Sequence, residues 1–416
     1  MTNKLQLTHP TRQLHGTVQL TGSKSECNRA LLLEAWSKGL VQVENVSDAA
    51  DTVTLIQALK DAHEASPETL TTIDIGPAGT AMRFLTAYLC TQKGTFKLTG
   101  SARMQERPIR LLVDALHQLG ASIHYSQKEG YPPLLIDGPL QQKTSKVTIA
   151  GDVSSQYLSA LLLIGPTLPL GLDLYIDGPL TSKPYLLMTL DMLSSAGIRY
   201  VWEGNHIHIP HQLAQSTTWF VEPDWSAATY WYSMVALSEK ASIQLPGLRS
   251  KSLQADSEIA EIMTHFGVKT TFTEEGITLE KQPITSSKLH FDFKNCPDLA
   301  QTVVVCAALM QKDVSFTGLE TLKIKETDRI VALQNELRKI GVSFQETSSQ
   351  TYQLDTSGLD LTATPVIATY EDHRMAMAFA PIALVLPQLF IEEPDVVQKS
   401  YPAFWKDLAT KGFVVN

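Results

Sequence analysis

Asp372-His373-Arg374-Met375-Ala376-Met377-Ala378-Phe379-Ala380 decides how this chain is built. A charged triplet stands directly ahead of an unbroken apolar run. A helix that is apolar all round belongs inside a core. Its first turn leaves backbone N–H groups unpaired and carries partial positive charge, which makes it a ready anion site. Charge placed there sits at the rim of a core, where an ion without partners is costly. The stretch predicts a buried helix whose N-terminus is offered to an anion.

The same design recurs. Gly22-Ser23-Lys24-Ser25, Gly79-Thr80, Ser154-Ser155-Gln156, Asp224-Trp225-Ser226 and Pro297-Asp298 each lead into a nearly continuous apolar stretch, such as Ala30-Leu31-Leu32-Leu33. Several of these ends carry Lys, Arg or Ser. The pattern suits a protein that gathers phosphates and carboxylates.

A second period runs beside the first. Amphipathic helices end at Gly120, Gly197, Gly267, Gly341 and Gly412, each followed by a short β-type segment, and these glycines are 77, 70, 74 and 71 residues apart. Glycine just past a helix is the favoured left-handed cap. A degenerate copy around Leu59-Lys60-Asp61-Ala62 lacks the glycine. One amphipathic helix carries Ile330, Leu333, Leu337 and Ile340 as its apolar stripe, with Thr327 as cap and Asn335, Glu336 and Arg338 on the opposite, exposed face. The segment Ala196-Gly197-Ile198-Arg199-Tyr200 reads as a helix end running into a strand. Each unit thus holds one buried helix, one amphipathic helix and several strands, among them Thr95-Phe96-Lys97-Leu98 and Leu172-Asp173-Leu174-Tyr175-Ile176. Six units divide as three plus three, and the polar stretch His211 to Thr218 is the midpoint boundary by composition. Solenoid repeats are shorter and lack a fully apolar helix in every unit. Two compact α/β domains are the better reading.

A chain of 416 residues is long enough for two such cores. The formal charge of −9 leaves no excess of Lys and Arg to neutralise a polyphosphate, so non-specific nucleic-acid binding is disfavoured. Small anionic substrates remain open, because for them local charge matters more than net charge. Cys27, Cys90, Cys296 and Cys306 show no metal or redox spacing, and Cys90 and Cys306, in apolar helical runs, read as reduced, buried thiols. The N-terminus lacks the form of a signal peptide. The longest apolar stretch, Met375 to Leu386, is interrupted by Pro381 and is too short for a membrane span of about 20 residues. A cytoplasmic protein is expected, with no membrane partner.

Lys325-Glu326-Thr327-Asp328-Arg329 sets two cations and two further carboxylates within five residues at a strand-to-helix junction. Taken alone it also reads as a solvated, self-paired helix start. Arg83 raises the same question as Asp372-His373-Arg374, since it is a charge inside an apolar helix. His206-Ile207-His208 puts two imidazoles on one strand face, but with no third ligand nearby it reads as an exposed strand and no metal site is expected. A glycine-rich phosphate loop and a dinucleotide fingerprint are both lacking, which argues against ATP and dinucleotides.

In chain order, Gly22-Ser23-Lys24-Ser25 with Asn28-Arg29-Ala30-Leu31, Ala78-Gly79-Thr80-Ala81-Met82-Arg83, Glu106-Arg107-Pro108-Ile109, Val153-Ser154-Ser155-Gln156, Ser182-Lys183-Pro184-Tyr185, Lys325-Glu326-Thr327-Asp328-Arg329 and Asp372-His373-Arg374-Met375-Ala376 resemble the enolpyruvyl transferases. The likeness is to the branch acting on shikimate 3-phosphate. Each piece is weakly specific; together and in register they are strongly so. The resemblance implies a two-domain inside-out α/β barrel, each domain built from three βαβαββ-type units around buried helices that point their N-termini toward an interdomain cleft. One domain would span residues 23–222 and hold the shikimate-phosphate side. The other would join residues 1–22 to 223–416.

The implied reaction moves the enolpyruvyl group of phosphoenolpyruvate to the 5-hydroxyl of shikimate 3-phosphate and releases phosphate, on the way to chorismate and the aromatic amino acids. By the resemblance, Ser154, Ser155 and Ser182 hold the shikimate phosphate and Arg29 its carboxylate, while Ser25, Gln156, Tyr185 and Lys325 line the ring side. Lys24, Gly79, Arg107, Gln156, Arg329, Arg374 and Lys399 match the phosphoenolpyruvate site. Asp298 and Glu326 match the carboxylates at the reacting centre, with Lys24 beside them and Asp298 also touching shikimate 3-phosphate. No cofactor or metal is implied, and a monomer is expected.

Departures from the family pattern bear on inhibition by glyphosate, which competes with phosphoenolpyruvate in this family. Pro77 stands where Asn is usual, Phe84 replaces a usual Pro after Arg83, and Glu26-Cys27 replaces small residues. Pro77 removes a side-chain amide and a backbone donor, and Phe84 is expected to shift its helix. Two rivals remain. The sister enzyme acting on UDP-N-acetylglucosamine typically carries a Cys or Asp in a mobile loop, whereas this chain reads Ser101-Ala102-Arg103-Met104-Gln105-Glu106-Arg107. A ligand-sensing protein that kept only the fold would lose the acid–base carboxylates, and both are present.

Overall fold

Among the described residues, five four-stranded sheets follow one pairing rule, in which a parallel pair is extended by two antiparallel strands. Leu70–Asp74 runs parallel to Gly94–Thr99, which pairs antiparallel with Leu134–Gly138 and through it with Ser122–Tyr125. Lys146–Ala150 and Leu172–Asp177 repeat the arrangement with His206–Ile209 and Val201–Glu203. Gln13–Thr17 with Lys240–Pro246, Lys288–Asp292 with Asp313–Thr317, and Val366–Ile367 with Leu389–Glu392 are the other parallel pairs. A sixth sheet holds only its parallel pair, Val41–Glu44 with Thr217–Phe220.

In this computed structural model, which describes residues 3–152, 154–284 and 288–416, the chain forms two compact units. Residues up to Thr21 join Glu222–Asn416 in a terminal unit, and Gly22–Val221 form a central unit. Val153, quoted above, lies outside the described residues. The polar stretch His211 to Thr218 is not the boundary, because its last two residues open strand Thr217–Phe220, which pairs with Val41–Glu44 inside the central unit.

The predicted buried helices all form: Lys24–Trp36, Gly79–Leu89 and Ser155–Ile164 in the central unit, and Trp225–Leu237, Ala300–Leu309 and His373–Phe379 in the terminal unit. Parallel strands need a crossover, and each buried helix supplies one. Leu70–Asp74, helix Gly79–Leu89 and Gly94–Thr99 are consecutive in the chain. At one place in each unit the crossover is broken by the passage of the chain. Strand Gln13–Thr17 waits for helix Trp225–Leu237 and strand Lys240–Pro246 after the chain returns, and Val41–Glu44, just after helix Lys24–Trp36, receives Thr217–Phe220 at the far end of the central unit. The His373 helix stops at Phe379 and continues as a 3-10 turn over Ala380–Leu384, where Pro381 lacks the N–H an α-helix needs.

The amphipathic helices end as expected, with Gly120, Gly197, Gly267, Gly341 and Gly412 all at positive φ. Gly341 is doubly constrained, since a Cβ there would also collide with the carbonyl oxygen of Gly358. In the degenerate copy, helix Ala50–Glu64 ends at Ala65 in extended conformation and the chain runs straight to Leu70–Asp74. That explains the two-stranded sheet: without the left-handed glycine, the antiparallel hairpin strands that follow it elsewhere are missing too.

Four expectations need correcting. The cap of helix Arg329–Arg338 is Asp328, whose carboxylate accepts from the N–H groups of Ile330 and Val331, not Thr327. Glu336 is 1% exposed, not on a solvent face; it accepts from Lys339 Nζ at 2.6 Å, Tyr370 OH at 2.8 Å and the Ala368 N–H at 3.0 Å. Ile198 to Tyr200 precede the strand, which starts at Val201. His206 and His208 do have a carboxylate neighbour, for Asp173 Oδ1 lies 3.0 Å from His206 Nε2 and 2.8 Å from His208 Nδ1. Long-range pairing of Leu172–Asp177 with His206–Ile209 brings it there. One oxygen engaged by both rings is a hydrogen-bonded cluster, and among the described residues no group of His, Cys, Asp and Glu is arranged to hold a metal ion.

Candidate active site

In the terminal unit the charged motifs meet on one cluster at the starts of buried helices. Arg329, 1% exposed, is its hub. Its Nε donates to Asp372 Oδ2 at 2.7 Å, NH1 to Asp298 Oδ1 at 3.0 Å and NH2 to Glu326 Oε2 at 3.0 Å. Arg374 NH2 donates to Asp298 Oδ2 at 2.8 Å, Lys399 Nζ to Glu326 Oε1 at 3.0 Å, and Lys325 Nζ lies 4.0 Å from Asp298 Oδ1. Asp372 caps the His373 helix by accepting from the Arg374 N–H at 2.9 Å. So Asp298, Glu326, Lys325, Arg329, Arg374 and Lys399, scattered over a hundred positions of sequence, stand together. Lys325-Glu326-Thr327-Asp328-Arg329 is only partly self-paired: Arg329 does bind Glu326, but it also reaches two carboxylates from other elements.

The electrostatics of the cluster follow from burial set against charge. Burial works to raise the Asp298 carboxyl, but Arg374, Lys325 and Arg329 outweigh it and hold it far below the usual carboxylate range. Burial lowers the Lys325 ammonium in spite of Asp298. Burial also opposes the Arg329 charge, yet Asp372, Glu326 and Asp298 more than compensate, so it stays protonated. Asp298 is therefore an ionised carboxylate in a ring of cations. Three carboxylates, Asp298, Glu326 and Asp372, and four cations, Lys325, Arg329, Arg374 and Lys399, give the cluster groups of the kind that can exchange protons and attract anions.

The central unit gathers the remaining predicted residues at its own helix starts. Arg29 is buried, and its Nε donates to Thr189 Oγ1 at 2.8 Å, NH1 to the Ser25 carbonyl at 2.7 Å and NH2 to Ser159 Oγ at 3.1 Å. These partners lie within the first two turns of helices Lys24–Trp36, Ser155–Ile164 and Lys183–Ser195, so Arg29 ties their N-terminal halves together. The Tyr185 carbonyl also accepts from Arg29. Burial pushes the Arg29 guanidinium down to about 10. Ser154 and Ser182 are the residues just before two of these helices, and Ser182 holds a left-handed φ of 54°, a conformation rare outside glycine.

Lys24 is paired with Asp51 Oδ2 at 3.0 Å. Gln156 Nε2 donates to Thr80 Oγ1 at 3.1 Å, joining the Ser155 and Gly79 helix starts. Arg107 rests against Gly79 so closely that a Cβ there would stand 2.6 Å from its NH1. Arg83 is turned inward, where it donates to the carbonyls of Gly79 at 3.1 Å and Pro108 at 3.2 Å. It fastens the loop that carries Arg107. Phe84 has a second role: its ring lies under the Arg29 guanidinium, 5.4 Å from its centroid.

Sequence reasoning missed Asp51, Asp256 and Tyr230, whose hydroxyl accepts from Arg374 NH1 at 3.4 Å, and it quoted Thr80 and Ser226 without a role. Ser226 was legible as part of a helix start, but Asp256 lies in an ordinary polar stretch, Gln254-Ala255-Asp256-Ser257, with no periodic signal.

A family model described as EPSP synthase (3-phosphoshikimate 1-carboxyvinyltransferase) matches residues 8–408. A 3-phosphoshikimate 1-carboxyvinyltransferase of Bacteroides fragilis (strain YCH46) is 48% identical over 405 residues, covering 97% of each chain. Its counterpart in Mannheimia haemolytica is 35% identical over 435 residues, covering 97% of this chain and 98% of that one. Among solved structures, an EPSP synthase from Acinetobacter baumannii superposes with a TM-score of 0.79 at 22% identity, covering 99% of both chains. The enolpyruvyl transferase NikO from Streptomyces tendae does so at 0.72 and 16%, covering 100% of this chain and 99% of that one. The structural likenesses speak for the fold, and the sequence matches speak for more: this chain belongs to the EPSP synthase (3-phosphoshikimate 1-carboxyvinyltransferase) family.

Proposed function

We infer that the protein transfers the enolpyruvyl group of phosphoenolpyruvate to the 5-hydroxyl of shikimate 3-phosphate and releases phosphate, in the shikimate pathway. The observation that carries this reading, beyond family membership, is the terminal-unit cluster: two carboxylates, Asp298 and Glu326, each held by cations from other elements. Forming the new C–O bond requires a base for the hydroxyl proton and an acid for the methylene carbon, and expelling phosphate requires that methyl proton to leave again. Asp298 and Glu326 are the groups for these transfers. Arg329, Arg374 and Lys399, with Lys24, Arg107, Gly79 and Gln156 of the central unit, suit the phosphoenolpyruvate anion. Ser154, Ser155 and Ser182 suit the shikimate phosphate, with Ser25, Arg29, Tyr185 and Lys325 around the rest of that substrate.

The reading includes a monomer in the cytoplasm. Four free, buried thiols support a reducing compartment, and among the described residues no helix is long and apolar enough to cross a membrane. The test is phosphate release from shikimate 3-phosphate plus phosphoenolpyruvate. Turnover is expected there and none with UDP-N-acetylglucosamine as acceptor; the reverse result would move the protein to the sister branch.

A further inference from the structure

Asp256 sits in the turn Ala255–Glu258, 4% exposed, and nothing in the reaction above uses it. Ser226 Oγ donates to its Oδ2 through a very short contact. Its other oxygen, Oδ1, is buried without a hydrogen-bond partner. A buried charge with a bare oxygen is costly. The same Ser226 hydroxyl accepts from Arg374 NH2 at 3.4 Å, and that NH2 reaches Asp298 Oδ2 at 2.8 Å. A serine hydroxyl has one hydrogen to give. Here it goes to Asp256, which leaves the oxygen lone pairs for Arg374. The result is a chain of contacts, Asp256–Ser226–Arg374–Asp298, leading from the buried carboxyl to the reacting cluster.

The groups around Asp256 come from several elements. Asp224 caps helix Trp225–Leu237, Asp298 lies in the turn Pro297–Leu299 behind Cys296, Arg374 comes from the His373 helix, and Glu258 shares the Asp256 turn. Among these groups the carboxylates outnumber the arginine. Burial first, then Asp298, push Asp256 up to about 7, with Arg374 and Ser226 opposing.

We propose that Asp256 is a positioning residue for phosphoenolpyruvate, aiming Ser226 at Arg374 and carrying a proton on its free oxygen while the anion is bound. This rests on the assignment of Arg374 to the phosphoenolpyruvate side. An ionised Asp256 competes with the substrate for Arg374 and adds like charge beside it; a protonated one does neither. The proton is taken from solvent as the anion binds and returned when phosphate leaves, so the net reaction is unchanged.

The test is the KM for phosphoenolpyruvate and kcat, at saturating shikimate 3-phosphate, across neutral pH. In the wild-type enzyme the KM should climb as pH passes about 7. Asp256→Asn, nearly isosteric, should lose that climb while kcat stays within about threefold, because the amide oxygen still accepts from Ser226. Asp256→Ala should raise the KM about tenfold below neutral pH, the worth of a buried hydrogen bond to a charged group, and should likewise lose the climb. Ser226→Ala should raise it similarly and keep the climb. The substrate's own phosphate titrates identically for all four enzymes and cancels in the comparison. A wild-type climb retained by Asp256→Asn would overturn the proposal, as would an unchanged KM in folded alanine variants. If the alanine variants fail to fold, the Asn profile alone decides. No turnover by wild type would instead sink the assigned reaction.

Discussion

Asp298 is within reach of Arg329, Arg374 and Lys325, and none of these partners is its neighbour in sequence. What was legible beforehand was each residue's discomfort: a charge placed against an apolar helix start must find partners. Which partners it finds depends on strand pairing over long separations, and so Asp256 and its link through Ser226 stayed hidden. Arg83 shows the opposite failure, because the same discomfort is relieved there by carbonyls of its own helix start and of the loop that carries Arg107. Asp298→Asn and Glu326→Gln should each lower kcat about 10²–10⁴-fold, the worth of a positioned proton-transfer group, with circular dichroism unchanged. A variant that turned over normally would lose its assigned role. Arg374→Ala should act mainly on the KM for phosphoenolpyruvate, since one lost hydrogen bond between charged groups costs about 1.5–3 kcal/mol.

The helices were the most readable elements, because an unbroken apolar run with a polar first turn has few other fates. Helix faces were less readable. Glu336 looked solvated by its position, yet Tyr370 and the Ala368 N–H, remote in sequence, cover it. The Asp328 cap was hidden by its neighbour Thr327, an equally good capping residue one step earlier. Asp328→Ala should therefore reduce stability by about 1 kcal/mol, the usual cost of a lost cap, seen as a lower urea midpoint. At the Gly79 helix start, the structure changes the steric argument. A methyl on Gly79 meets the Arg107 guanidinium first, at 2.6 Å. That group ends a flexible side chain and can yield, so Gly79→Ala should fold normally. With Arg107 displaced, the KM for phosphoenolpyruvate should rise along with the inhibition constant of glyphosate. Glyphosate weakening alone, with an unchanged KM, would point to direct contact with the inhibitor and away from Arg107.

At the scale of the whole molecule, the expected two-domain α/β architecture is the one observed, and the solved enolpyruvyl transferases share it. The threefold repeat in each unit was legible because glycine caps leave a period in the sequence; the point where the chain changes units was not, because composition does not register that Thr217–Phe220 pairs with Val41–Glu44. Asp298 and Asp256 give stability opposite pH signatures. Asp298 is depressed by its cations, so its contribution is complete above the ordinary carboxylate range of about 4 and fades as pH falls below it. Asp256 is raised to about 7, so the folded state keeps a proton that the unfolded chain has already released. That contribution is complete below about 4, declines as pH rises toward about 7, and stays lost above it. Asp256→Asn does not titrate and escapes this loss. Urea denaturation at about pH 4.5 and about pH 8 should show the Asn variant gaining on wild type as pH rises. Asp298→Asn should lose nearly the same at both values, since its carboxylate is ionised and paired at each, and less only below about pH 4. Parallel curves for Asp256→Asn and wild type would mean that Asp256 titrates like an ordinary carboxylate, and that its bare oxygen meets a partner in solution.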